Sequence, residues 1–153
     1  MSVVNLASSS YKGTALKFFI PTIYALTPNK VYIISPWLNI NVNLVIPWER
    51  NQPEISFNSL ILEYRTIGVD TIFFISSLSN GNRTTIDSKK LLIDEGFQVS
   101  EIEDLHSKVI LGKYLKIIGS SNITENGLFN FKENFVVLQI DGSAEEEVRK
   151  LIT

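Results

Sequence analysis

The chain has 153 residues, 44% of them hydrophobic and 20% charged, which suits one globular domain over 1–153 with a real core and no linker or second module. No cysteine and a single histidine exclude a disulfide scaffold and, within one subunit, thiolate or multi-histidine zinc sites. A formal net charge of -2 and a pI near 5.4 exclude a global basic footprint, although Lys12, Lys17 and Lys30 precede every acid and leave room for a local basic groove.

From the start of the chain, 8–27 (SSSYKGTALKFFIPTIYALT) predicts a helix with serine caps and an apolar stripe, kinked or divided near Pro21. The opening residues show no signal-peptide pattern, and the run LKFFIPTIYAL is too short to span a membrane, so a soluble cytoplasmic protein is expected. KVYIISPWL is a continuous apolar run rich in β-branched residues, which predicts a buried strand ending at Ser35-Pro36-Trp37. Ligands of open α/β sheets gather beyond strand carboxyl ends, so Ser35 and Trp37 are candidate pocket residues; an ordinary packed tryptophan is the alternative. NINVNLVIPWERNQPEI yields no clear element, and its Trp48 suits either a cover for the site or a subunit interface.

From Ser56, FNSLILEYRTIG has helical periodicity and a terminal glycine, and VDTIFFISSLS gives a second buried strand. The loop SNGNRTT carries Arg83, either a ligand for substrate phosphate or an exposed loop arginine. IDSKKLLIDEG is an amphipathic helix stopped by Gly96, FQVSEIED a strand, and AEEEVRKLIT a closing helix with acids in its first turn. Alternation of helix and strand predicts an α/β fold: a mixed, largely parallel central sheet with helices on both faces.

Between 106 and 133 the spacing carries chemistry. In LHSKVIL, strand periodicity puts His106 and Lys108 on one face. Gly112-Lys113 suits a two-residue II′ turn, which would pair Leu111 with Tyr114, Lys108 with Ile117 and His106 with Gly119. The loop Gly119-Ser120-Ser121-Asn122 would then lie beside the imidazole, with the short helical pattern ITENG offering N–H groups to an anion. In FKENFVVLQI, Phe131, Glu133, Phe135 and Val137 share a face, and a carboxylate there needs a partner. His106 is the candidate: Glu133 on Nδ1 would leave Nε2 free as nucleophile.

These residues resemble the phospholipase D superfamily, whose motif is H-x-K, four residues, D, six residues, then G-S-x-N. His106, Lys108, Gly119, Ser120 and Asn122 fall on its H, K, G, S and N, and Glu133 stands where the superfamily's small bacterial nucleases place a supporting glutamate. The aspartate is missing; Gly112-Lys113 occupies its place. The resemblance implies a phosphodiesterase in which His106, Lys108, Asn122 and Glu133 are catalytic and Lys108, Ser120 and Asn122 hold phosphate, with Gly119 and Ser121 beside them; the scarcity of metal ligands makes a metal-independent, cofactor-free mechanism the expectation, and position at strand and loop ends adds Ser35, Trp37 and Arg83 as candidate pocket residues.

Double displacement at phosphorus needs one imidazole to attack and another acid to protonate the leaving oxygen. With one histidine per chain, the expectation is a C2 homodimer sharing one site, as the single-motif members of the superfamily also imply. Nucleic acid is the expected substrate, with no membrane partner. A lipid or small-molecule phosphodiesterase and a non-catalytic nucleic-acid or phosphate-binding module are the alternatives.

Overall fold

The computed structural model describes residues 11–12, 15–77, 81–120, 122–124 and 134–152. The elements are β1 (Tyr11–Lys12), α1 (Leu16–Ala25), β2 (Lys30–Ile34), β3 (Asn43–Val45), β4 (Glu54–Ser56), α2 (Phe57–Thr66), β5 (Asp70–Ser76), α3 (Arg83–Asp94), β6 (Gln98–Ile102), β7 (Val109–Leu111), β8 (Leu115–Gly119), β9 (Asn134–Gln139) and α4 (Ala144–Ile152).

A seven-stranded sheet in the order β1-β9-β8-β7-β2-β5-β6 forms the centre, and β3 with β4 makes a separate hairpin. β2 pairs in parallel with β5, and β5 with β6, while the neighbours from β2 to β1 are antiparallel. Following those pairings, β1, β2, β5, β6 and β8 run one way, and only β7 and β9 run against them. The sheet is thus mixed, as expected, and largely parallel in direction, with parallel hydrogen bonding confined to β2-β5-β6.

Period-two alternation divides the strand residues between two cores. Val31, Ile33, Phe73, Ile75, Ile110, Ile117, Phe135 and Val137 face one way, against Leu16, Ile20, Ile23 and Tyr24 of α1, Phe57, Leu60 and Ile61 of α2 and Leu92 of α3. Tyr32, Ile34, Ile72, Phe74, Val109 and Leu111 face the other, against Ala144 and Val148 of α4. Helices therefore cover both faces. Fully burying an aromatic such as Phe73 contributes about 1.5–3 kcal/mol, so the two-sided burial of β2 and β5 makes them the sheet's anchor.

Several boundaries differ from the sequence expectation. Tyr11 and Lys12 belong to an edge strand on β9, so the first helix begins at Leu16 and not at residue 8. Pro21 lies inside α1 without dividing it: the helix is continuous to Ala25. Proline removes one intrahelical N–H, and the buried Ile20, Ile23 and Tyr24 around it hold the helix on the sheet. The expected α2 stands, with the Ser56 hydroxyl accepting from the Ser59 N–H as N-cap. α3 starts earlier than expected, at Arg83, because Asn82 caps it through Thr85 N–H.

The hairpin register also changes. Leu111 pairs with Lys116 and not with Tyr114, and Gly112 N–H donates to Leu115 O, so the turn's tip is Lys113-Tyr114. Gly112 is buried against the end of α1, where a Cβ would collide with Thr27 Oγ1 and crowd Ile23. It serves close approach, not a positive φ, and the tip moves one residue outward to where both side chains are exposed. Among the described residues no helix is long and apolar enough to cross a membrane.

Candidate active site

The carboxyl ends of β2, β5, β6 and β8 lie at one end of the sheet, where the amino end of β7 also arrives. Across β2, β7 and β8 the last paired row is Ile34, Val109 and Ile118. One step further the row is Ser35, Lys108 and Gly119, and Gly119 N–H donates to Lys108 O at 3.2 Å. Adjacent strands lie about 4.8 Å apart, so these three positions occupy a strip roughly 10 Å wide. Phe135 of β9 pairs with Gly119 and extends the row. The shift of the hairpin by two residues thus places Lys108, not His106, opposite Gly119, as a correction to the expected pairing.

His106 and Lys108 precede β7 and are not part of a strand, so the expected strand-face relation does not apply. His106 is exposed and Lys108 half-buried, and the Lys108 ammonium donates to the His106 carbonyl at 3.1 Å. The stem of Lys108 reaches the edge of a 10 Å³ void shared with Gly119, Ile123 and Phe135, room for about one water. Asp104, just upstream, has φ 55°, a left-handed turn that its short polar side chain tolerates and that redirects the chain out of β6 toward His106.

Asn122 is held from the other side. Its Oδ1 accepts from Trp37 N–H at 3.1 Å and lies 3.5 Å from Ser35 Oγ. A backbone N–H can only face an acceptor, so this contact fixes which way the amide points and turns Nδ2 away as a donor. Ser35, 1% exposed, binds the segment further: its hydroxyl meets Trp37 O at 2.5 Å and accepts from Ile123 N–H at 3.0 Å. Leu38 and Ile123 form a parallel bridge, with Asn39 N–H donating to Ile123 O at 2.7 Å. Candidate residues from distant parts of the chain, Ser35, Trp37 and Asn122, are therefore joined by hydrogen bonds.

Two residues absent from the sequence analysis support this joint. Leu38 N–H donates to Thr85 Oγ1 at 3.0 Å, and Ile40 N–H to Ser88 Oγ at 3.1 Å; both hydroxyls are buried on α3. The signal was present as T-x-x-S on a helix face otherwise turned to the apolar core, since a buried hydroxyl needs a partner. Asn82 Oδ1 accepts from Thr85 Oγ1 at 2.8 Å, orienting that hydroxyl so its lone pair meets Leu38 N–H.

Of the remaining candidates, Trp37 is 48% exposed, flanking the strip and not packed in the core. Ser120 is exposed directly after β8. Arg83, with an 86% exposed side chain, pairs with Asp87 at 3.3 Å on α3 and is not brought into the network. Ser121, Glu133 and most of the ITENG pattern lie outside the described residues. The place of the missing motif aspartate is anchored by Thr27, whose Oγ1 accepts from Lys113 N–H at 3.4 Å and donates to Ile23 O at 2.6 Å. A larger cavity of 760 Å³ lies elsewhere; its lining includes Glu49, Glu54 and Glu63 and no lysine or arginine, so it does not suit a phosphate.

No protein-family model matches the sequence, and no curated protein matches it. Solved structures do. Nuc from Salmonella typhimurium, described as a phospholipase D family member, superposes with a TM-score of 0.69 at 15% identity, over 98% of this chain and 91% of that one. NucT from Helicobacter pylori gives 0.62 at 14% identity, over 98% and 96%. TrmBL2, an archaeal chromatin protein described as showing a novel mode of DNA binding, gives 0.52 at 13% identity, over 97% of this chain and 49% of that one. The chain has the phospholipase D fold over nearly its whole length.

Proposed function

We propose that this chain is a metal-independent phosphodiesterase acting on nucleic acid, with one active site shared by two subunits. The observation that carries the proposal is the joint at the sheet's end, where Trp37 N–H fixes the Asn122 amide beside the strip containing Lys108 and Gly119. It supplies an oriented amide donor and an ammonium where an HxK segment and a GSxN loop meet. The phospholipase D fold and the near-complete coverage of Nuc and NucT support the same reading.

In this scheme Nε2 of His106 attacks phosphorus, the P–N bond forms, and the P–O bond to the leaving alcohol breaks. The second subunit's imidazole donates the proton that the departing oxygen takes. A water then gives a proton back to that imidazole and attacks phosphorus, and the P–N electron pair returns to His106. Glu133 would hold Nδ1–H, fixing the tautomer. Lys108 and the Asn122 amide, with Ser120, stabilise the charge that gathers on the nonbridging oxygens. A cytoplasmic setting fits the absence of cysteine.

A second reading rests on TrmBL2, a fold neighbour described by its DNA binding: a module that holds phosphate without turnover. Incubating the protein with DNA, RNA, phosphatidylcholine and bis-p-nitrophenyl phosphate, with and without EDTA, separates these. The proposal expects EDTA-resistant cleavage of a nucleic acid. Binding without cleavage favours the module, and preference for phosphatidylcholine overturns the nucleic-acid assignment.

A further inference from the structure

The 760 Å³ cavity lies between the β3–β4 hairpin and the outer side of α2, and neither element contributes to the strip at the sheet's end. Its floor is apolar, with Leu60 fully buried and Ile46 nearly so. Its rim carries two large apolar side chains in water: Trp48 is 50% exposed and Ile67 72%. Glu49, Glu54 and Glu63 also line it; all three are exposed, and no ion pair among the described residues involves them.

We infer that this groove docks a cationic, amphipathic segment of a partner protein. An exposed tryptophan beside an apolar floor is the usual anchor of a protein contact, since it buries a large rigid surface. Three carboxylates in a lining without lysine or arginine, none of them held in an ion pair among the described residues, select a positively charged occupant and repel a nucleic acid. A second copy of this chain is disfavoured, because an isologous contact here would set the carboxylates against their own twins. From Ser59 to Ile67, α2 and its C-cap present a wall of about 12 Å, which matches roughly two turns of a helix laid in the groove with lysines or arginines toward the rim. This docking is independent of the phosphodiester chemistry and would tether it to a partner.

The test uses the full chain and two fluorescein-labelled helical peptides of about 14 residues, one of leucine and lysine at amphipathic spacing, the other with glutamate for every lysine. Anisotropy should show saturable one-to-one binding of the lysine peptide and none of the glutamate peptide. Glu49→Gln, Glu54→Gln and Glu63→Gln combined should weaken it at least about tenfold, and Trp48→Ala should do so separately. Ile67→Ser, at a more exposed position, serves as the apolar variant if Trp48→Ala does not fold. Phosphodiester cleavage, where present, should be unchanged in these variants. Absence of saturable binding, equal binding of both peptides, binding unaffected by the glutamine substitutions, or equally tight binding of spermine, which has charge without an apolar face, would each overturn the inference.

Discussion

Trp37 N–H donates to Oδ1 of Asn122 across 3.1 Å, joining the carboxyl end of β2 to the loop that follows β8 over a separation of 85 residues. An amide so fixed holds its NH₂ donors on one side. Replacing it tests that directly: Asn122→Asp keeps the acceptor but removes the Nδ2 donor and adds negative charge where the proposed substrate phosphate would lie. Turnover should fall on the order of 10²–10³-fold, as when a transition-state donor is deleted. Steady-state kinetics with the proposed nucleic-acid substrate would show it, and a change confined to KM would contradict the assigned role.

His106 is exposed and Lys108 half-buried, so neither ring nor ammonium anchors the core. His106→Ala should therefore leave the melting transition within about 0.5 kcal/mol of the parent while abolishing turnover. Circular dichroism melts and cleavage assays on the same preparation make the comparison; retained activity would remove His106 from the mechanism.

The buried hydroxyl of Thr85 accepts from Leu38 N–H at 3.0 Å. In Thr85→Val that amide loses its partner inside the protein, which should cost about 1–3 kcal/mol. Thr85→Ser should retain most of the stability, because the hydroxyl remains. Urea unfolding of the three proteins measures both values, and equal loss in the two variants would assign the effect to packing and not to the hydrogen bond.

Much of the fold was legible because apolar runs announce strands buried on both faces: KVYII and DTIFFIS stand where expected, as do the helix following Ser56 and the Gly68 and Gly96 stops, both glycines at positive φ. What was not legible depended on partners far along the chain. The turn was misplaced because Gly112 answers to Thr27, not to its own hairpin. The β3–β4 pairing was hidden because three-residue strands around Pro47 and Pro53 leave almost no periodic signal. At the site, residue types and spacing named Asn122 and Ser35, but only tertiary contact revealed that one orients the other's segment.

Tyr24 is fully buried, and its hydroxyl is 2.8 Å from Thr71 Oγ1; desolvation pushes its phenol well above the usual value. Tyr32, beside Glu145, is pushed up to about 12, chiefly by burial. A raised folded pKa favours the neutral phenol, so the stability it represents is complete below the unfolded value near 10 and is lost as pH rises beyond it. The melting temperature should fall above about pH 10. Tyr24→Phe should lower it at pH 7, leaving Thr71 without a partner, yet flatten the alkaline decline. A decline as steep as the parent's would assign it to other groups.

If two imidazoles share one site, subunits must cooperate. Mixing the parent with a large excess of His106→Ala, under conditions that allow exchange, should pull parent chains into heterodimers with a single imidazole and suppress activity per parent chain. Unchanged activity would mean that each chain works alone, and another proton donor would have to be found.

The most direct test is capture of the covalent intermediate. Rapid quenching of the parent protein during turnover of a phosphodiester, followed by peptide mass spectrometry under alkaline conditions, should place a phosphoryl adduct on the peptide containing His106 and none on the corresponding His106→Ala peptide. Cleavage proceeding at full rate with no adduct on His106, or with an adduct on another residue, would contradict the account.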